Sequence, residues 1–297
     1  MSDSAPNWLA TRLALGTAQF GLDYGLNNRA GQPALATVAE VLAQAQAAGL
    51  TLLDTAAAYG NSEARLGELL VNDASFAIVT KLGAGPPAEV SAHLEASLAR
   101  LGRSAVYGVL FHAFGPLRDN PAAWHALQSA RTAGLTQRIG VSLYHPHEAE
   151  WLLAEGFDLD LIQLPYSVFD QRFAAVLPQL AARGVEVHVR SAFLQGLLLR
   201  EPADLPPFFQ PLAPKLVRLR ALVAEAGIPL PAALLLFAVG APGAARVVVG
   251  VDSAANLREN LAAAAYTEQA AAVRPALVAL AETTDHFILP YVWPPRP

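Results

Sequence analysis

Residues 47–70 read "AAGLTLLDTAAAYGNSEARLGELL", and the organisation of the whole chain follows from how that stretch is parsed. A helix end, a glycine, a short apolar strand, a polar turn and a second, amphipathic helix succeed one another. Gly49 stands where a helix must stop, because glycine accepts the left-handed conformation that ends a helix. The same punctuation returns in "TAGLTQRIGV" (132–141) and "ARGVEVHV" (182–189), so helix, glycine and strand form a repeating unit.

Working outward, eight apolar runs rich in branched residues read as strands: 13–15, 52–53, 76–79, 106–111, 139–141, 159–164, 185–189 and 247–249. Helical patterns fall between them at 37–48, 63–71, 88–101, 122–133, 146–154 and 173–182. Continuous apolar strands alternating with helices imply a parallel sheet covered by helices. Eight such units in about 250 residues predict an α/β fold of the closed (β/α)8, or TIM, barrel type, as one domain over 1–297. An open doubly wound sheet competes, but no GxGxxG fingerprint follows the first strand. The proline-rich 200–214, "REPADLPPFFQPLAP", is expected to be a long loop after strand seven.

Composition narrows the function classes. The 297 residues are 54% hydrophobic and carry 25 acids against 20 bases, a net charge of −5, with no basic run, so no nucleic-acid partner is expected. With no cysteine, disulfides, thiolate catalysis and thiolate metal sites are excluded. The first ten residues, "MSDSAPNWLA", lack the pattern of a cleaved signal, and a cytoplasmic location is the default expectation. The most apolar segment, 227–250, is broken by three prolines and Arg246 and is read as a buried helix followed by a buried strand, not a membrane span.

In such a barrel, chemistry belongs at the C-terminal ends of the strands. Those positions hold Asp54 and Tyr59, Lys81, His112, Ser142, Gln163 and Arg190. Each alone has a structural reading: a turn acid, a loop aromatic, a solvated lysine, a core histidine. Together, four titratable groups on three neighbouring strands would converge on one pocket. A phenol titrates near pH 10, and a lysine ammonium nearby is expected to lower the value for Tyr59, with Asp54 as the lysine's counter-charge. His112 would orient a substrate oxygen. This set suits protonation of a carbonyl oxygen as its carbon receives hydride, and because no side chain carries hydride, a nicotinamide cofactor is implied. No metal is expected.

From about residue 13 to 265 the sequence resembles the aldo-keto reductase superfamily. The resemblance rests on Asp54 and Tyr59 followed by "GNSEARLGELL", on "VTKL" with Lys81, "LFHAF" with His112, "GVS" with Ser142, "DLIQLPYSVFD" with Gln163, and "LRENL" at 257–261. It implies an NAD(P)-dependent enzyme with Tyr59 as general acid, supported by Asp54, Lys81 and His112. It also implies a carboxamide site at Ser142 and Gln163 and an adenine site at Glu259 and Asn260. Further cofactor contacts are expected at Gly16, Thr17, Gln19 and Asp54, at Arg190, Ser191, Phe193, Gln195 and Gly196, and at Gly250, Ser253 and Asn256. Phe20, Leu22 and Tyr24 are expected to form a substrate wall.

Three departures bear on this expectation. Leu143 replaces an asparagine that would bind the carboxamide. Arg190 replaces an aromatic that stacks on the nicotinamide, placing positive charge where a ring becomes positive when oxidised, unless the substrate is an anion. Around Asp252 the loop before the last helix offers no cation for a 2′-phosphate, so of NAD(H) and NADP(H) the sequence leans to NAD(H). The expected substrate is a small carbonyl or alcohol, with the oligomeric state open. The other readings are a dinucleotide-binding regulatory or redox-sensing barrel with little turnover, and a metal-dependent hydrolase, for which ligands beyond His112 and His188 are hard to find.

Overall fold

Each apolar run forms a strand, and the strands hydrogen-bond in chain order into a closed parallel barrel. They are β1 (Leu13–Gly16), β2 (Leu52–Asp54), β3 (Ala77–Leu82), β4 (Val106–Phe111), β5 (Thr136–Ser142), β6 (Leu161–Pro165), β7 (Glu186–Arg190) and β8 (Ala244–Gly250). Closure is made by β1 against β8, from Leu13 opposite Val247 to Gly16 opposite Gly250. This computed structural model describes residues 7–28, 31–71 and 73–295. Gly49, Gly134 and Gly184 all have positive φ (80°, 75° and 73°), as the punctuation requires.

Two apolar clusters divide the core. A large one lies between strands and helices. A small one, Ala14, Leu52, Val79, Leu110 and Leu161, fills the barrel interior. Side chains alternate faces along a strand, so the residue two positions beyond each interior one points inward as well. That places Asp54, Lys81, His112 and Gln163 in the layer above Leu52, Val79, Leu110 and Leu161. The polar ring is the next turn of the same pleat.

The structure departs from the expected elements where proline or an edge intervenes. The helix expected over 173–182 is a 3₁₀ turn, Arg172–Ala175, and a separate helix, Leu177–Ala182, because Pro178 fits only near a helix start. Residues 200–214 are not an irregular loop throughout: 3₁₀ turns at Pro202–Asp204 and Pro207–Leu212 lead into the helix Ala213–Glu225. An extra helix, Phe114–Asp119, follows β4. Residues 227–250 do form a helix, Leu230–Val239, buried from Ala232 to Val239, and then β8. Among the described residues no single helix is long and apolar enough to cross a membrane.

One close approach positions the turn after β2. A Cβ on Gly21 would lie 1.8 Å from the Tyr59 carbonyl oxygen and 2.6 Å from the Ser62 nitrogen. On the other side Gly60 (φ 55°) touches the Gly21 carbonyl, where a Cβ would sit 2.3 Å from the oxygen. Two glycines therefore let the β1 and β2 turns interlock. Buried hydroxyls complete the lock: Ser62 donates to Thr17 Oγ1 at 2.9 Å, and Thr17 donates to the Asp54 carbonyl at 3.0 Å.

Gly21→Ala should consequently cost about 3 kcal/mol or more, since the clash is with backbone that cannot rotate away. Gly134→Ala, at a position with a positive φ (75°) but open space around it, should cost only about 1–2 kcal/mol. Urea melts of both variants decide the point, and equal losses would refute the interlock.

Candidate active site

The interior polar layer is organised by a buried ion pair. Lys81 Nζ donates to Asp54 Oδ1 at 2.6 Å and to the Thr55 carbonyl at 3.0 Å, and both charged side chains are almost fully enclosed (1% and 3% exposed). Asp54 Oδ2 accepts from Gln163 Nε2 at 2.7 Å. Tyr59 is carried over this pair by the interlocked turn, with its hydroxyl 3.5 Å from Lys81 Nζ. His112 meets the Tyr59 ring edge to face, centroids 5.6 Å apart. Asp54, Tyr59, Lys81 and His112, singled out from sequence, thus form one cluster.

The expected electrostatics of Tyr59 is corrected. Its pKa is raised, not lowered: burial penalises the phenolate and the Asp54 charge adds to the penalty. Lys81 cannot reverse this because its charge is already balanced by Asp54. Burial also pushes the lysine's own pKa down, with Asp54 opposing. Burial, and next the Lys81 charge, depress His112 to about 4, so the imidazole is neutral near pH 7. The cluster therefore offers a protonated phenol and a neutral imidazole.

These groups open into a cleft of about 470 Å³ at the C-terminal end of the barrel. Its walls include Gly16, Thr17, Gln19, Ser142, Gln163, Arg190, Ser191, Phe193, Gln195, Gly196, Gly250, Asn256, Glu259 and Asn260, all named from sequence. Ser253 is not among them; it caps the helix Ala254–Ala262 by accepting from the Asn256 nitrogen at 3.2 Å. Of the expected substrate wall only Tyr24 faces the cleft, since Phe20 is wholly buried in the outer core and Leu22 lies at the surface. Leu143 is likewise core, and its carbonyl accepts from Arg190 Nη2 at 3.0 Å. The Arg190 guanidinium lies on the Tyr144 ring, 4.3 Å from its centroid.

Two aromatic wall residues were missed. Tyr144 lies two positions beyond Ser142, a spacing that could have found it. Tyr291 comes from the C-terminal segment and packs against Tyr144 with centroids 4.8 Å apart, a contact without a local signal.

Part of the cleft has strained walls. Ser191, Leu194 and Gln195 adopt positive φ (65°, 47° and 53°) without being glycine, followed by Gly196 at 92°. The loop is held by the β1 turn: Leu26 N donates to the Gln195 carbonyl at 2.9 Å and Asn27 Nδ2 to the Gly196 carbonyl at 2.8 Å. Strain of this kind persists only where neighbours over-determine it, and it concentrates at ligand clamps. Nearby, Asn260 Nδ2 is buried on the cleft wall with no hydrogen-bond partner, an unmet donor that a ligand would satisfy. Among the described residues no group of three or more His, Asp or Glu side chains is placed to hold a metal ion.

Comparison with known proteins bears on the family and the fold. A family model described as the aldo/keto reductase family matches residues 12–274. An aldo-keto reductase of Mycolicibacterium vanbaalenii is 31% identical over 166 residues, which span 52% of this chain and 58% of that protein. A Pseudomonas aeruginosa structure described as an aldo-keto reductase is 26% identical, with a TM-score of 0.67 over 86% of this chain and 90% of its own. An aldo-keto reductase of Bacillus halodurans in its holo form, 23% identical, shares the fold with a TM-score of 0.75 over 92% and 93%.

The ion pair yields a stability prediction. Lys81→Met leaves the Asp54 charge buried beside one amide donor and should destabilise the chain by about 3–5 kcal/mol. The Lys81→Met, Asp54→Asn double variant should recover a large part of that loss. A double-mutant cycle in urea measures the coupling, and additive losses would show that the pair is not interdependent.

Proposed function

The chain belongs to the aldo/keto reductase family, and from that we propose that it is an NAD(P)(H)-dependent oxidoreductase that interconverts an aldehyde, ketone or sugar carbonyl with its alcohol, Tyr59 acting as general acid. The observation behind this reading is the placement of the Tyr59 hydroxyl 3.5 Å from Lys81 Nζ, on the cleft wall, beside His112. A bound nicotinamide would supply the hydride, which no side chain can. The residues that would hold it fit the role: Ser142 and Gln163 for the carboxamide, the strained 191–196 loop over the middle, and Asn256, Glu259 and Asn260 for the adenosine, with Asn260 Nδ2 awaiting an acceptor.

The proton chemistry follows from the cluster. A carbonyl oxygen in the cleft accepts a hydrogen bond from the Tyr59 hydroxyl and another from neutral His112. As hydride reaches the carbon, the oxygen becomes far more basic than a phenolate, and the Tyr59 proton passes to it. The phenolate left behind is within reach of a hydrogen bond from Lys81 Nζ, at 3.5 Å, which offsets part of the penalty that burial and Asp54 place on it without reversing that penalty. A raised tyrosine pKa suits this direction, because the acid stays protonated until the oxygen demands its proton. Solvent then returns one proton to Tyr59, and the balance is carbonyl, reduced cofactor and proton to alcohol and oxidised cofactor.

NAD(H) is the proposed preference. Asp252 lines the cleft and would repel a 2′-phosphate, while Arg258 reaches away to donate to Gln44 Oε1 on the helix Leu35–Ala47 at 3.4 Å.

The experiment is a titration with NADH and NADPH followed by a panel of aldehydes, ketones and sugars at the nicotinamide absorbance. NADH should bind more tightly, and Tyr59→Phe should remove turnover while leaving cofactor binding in place. Turnover at the parent rate in that variant would refute the role of Tyr59, and binding without any turnover would move the assignment to a regulatory barrel.

The pH profile gives a second check. With His112 depressed to about 4 from its ordinary 6.5, the reduction rate should show no limb near pH 6.5. The unfolded chain binds this proton near pH 6.5 and the folded chain only near 4. Stability should therefore fall as pH drops through that window, an effect that His112→Gln should remove from the melts.

A further inference from the structure

One charged group at the mouth of the cleft has no part in the chemistry just described. Arg190 closes β7 opposite Pro165, whereas Gln163 pairs with His188, so Arg190 stands two residues, about 7 Å along the strand, further out than the carboxylate-bound layer. Three uncharged groups hold its guanidinium. The Tyr144 ring covers one face, Nη2 donates to the Leu143 carbonyl at 3.0 Å, and Nη1 donates to the Ser191 hydroxyl at 3.3 Å. Tyr144 is itself fixed, by its backbone nitrogen donating to Glu148 Oε2 at 2.7 Å and by the Tyr291 ring.

A guanidinium has five N–H donors, and these two bonds leave three, including Nε–H, for a planar acceptor. No carboxylate among the described residues pairs with it, although it is half-buried on the cleft wall. Of the acids on the cleft wall, Asp54 is taken by Lys81, and Asp252 and Glu259 sit before and on the helix Ala254–Ala262. A half-buried cation held in place by neutral partners is a preorganised anion receptor, because no protein group supplies its counter-charge. Its field reaches the reacting groups, where it favours negative charge on Tyr59.

We propose that Arg190 is a substrate-binding residue and that the carbonyl compound reduced here bears a carboxylate, which the free edge of the guanidinium grips while Tyr59 and His112 face the carbonyl. This rests on the reductase reading above for the second half only; the anion site stands on its own geometry. A carboxylate is chosen over a phosphate ester because Arg190 is the one cation among the described wall residues, so a dianion would keep an unbalanced charge. Bidentate contact with a planar carboxylate also matches the fork geometry of the guanidinium.

The test begins with binding, which needs no turnover. The chain loaded with NADH is titrated with butyrate, butyramide and propyl phosphate, followed by nicotinamide fluorescence, in the parent and in Arg190→Met and Arg190→Lys. Butyrate should bind ten- to a hundredfold more tightly than butyramide, as expected for a charge-assisted hydrogen-bonded pair, and Arg190→Met should erase the difference while leaving the NADH affinity within about threefold. Arg190→Lys should restore part of the preference, since it keeps the charge without the fork.

Equal binding of acid and amide, or a preference that survives Arg190→Met, overturns the proposal. So does a tenfold weaker NADH affinity in Arg190→Met with the acid preference intact, which would return Arg190 to the cofactor. Tighter binding of propyl phosphate than of butyrate overturns the choice of carboxylate. Turnover of succinic semialdehyde and butanal is then compared: kcat/KM should favour the acid in the parent and not in Arg190→Met. No turnover of either, with Arg190-dependent binding of butyrate, refutes the reductase reading and leaves the anion site standing.

Discussion

The structure of the site depends on one contact, the 2.6 Å ion pair between Lys81 and Asp54 inside the barrel. Taking both charges out of water is expensive, and the cost is met only because each has further partners, the Thr55 carbonyl for the lysine and the Gln163 amide for the acid. These bonds tie β2, β3 and β6 together at one level. They also determine the acidity of the tyrosine above them. A free lysine would pull a neighbouring phenol toward ionisation, whereas a lysine already neutralised leaves burial in command.

Around that pair the barrel builds outward in layers. The apolar layer of Leu52, Val79, Leu110 and Leu161 supports the polar one, and the pleat of the strands connects them position by position. The turns then shape the space above. Gly21 and Gly60 let the β1 and β2 turns pass within backbone contact, which holds Tyr59 over Lys81. The same β1 turn reaches the other way, through Leu26 and Asn27, to pin the strained loop after β7. Both Tyr59 and the cleft wall are thus braced by one segment, 16–28, which has little regular structure of its own.

Much of this was legible in the sequence. Helix, glycine and strand repeated with enough regularity to identify the barrel, because a left-handed helix terminus and a buried parallel strand each demand a narrow set of residues. The polar cluster was legible for a related reason: polar residues at the ends of apolar strands have no cheap structural explanation. Local chemistry was less secure. Pro178 split an expected helix, and Ser253, expected at the cofactor, accepts from the Asn256 nitrogen as a helix cap.

The sequence by itself determined the eight strands and the polar ring of Asp54, Tyr59, Lys81 and His112 beyond their C-terminal ends, since all of these follow from local period and spacing. Only the tertiary structure decided what those residues are to one another. It set the direction in which Tyr59 is shifted, turned Phe20 and Leu143 into the core, and brought Tyr291 from the far end of the chain to stand with Tyr144 beside Arg190. The reason is physical. Spacing along a chain dictates which face a side chain takes, but burial, charge balance and contact between distant segments exist only once the barrel has closed.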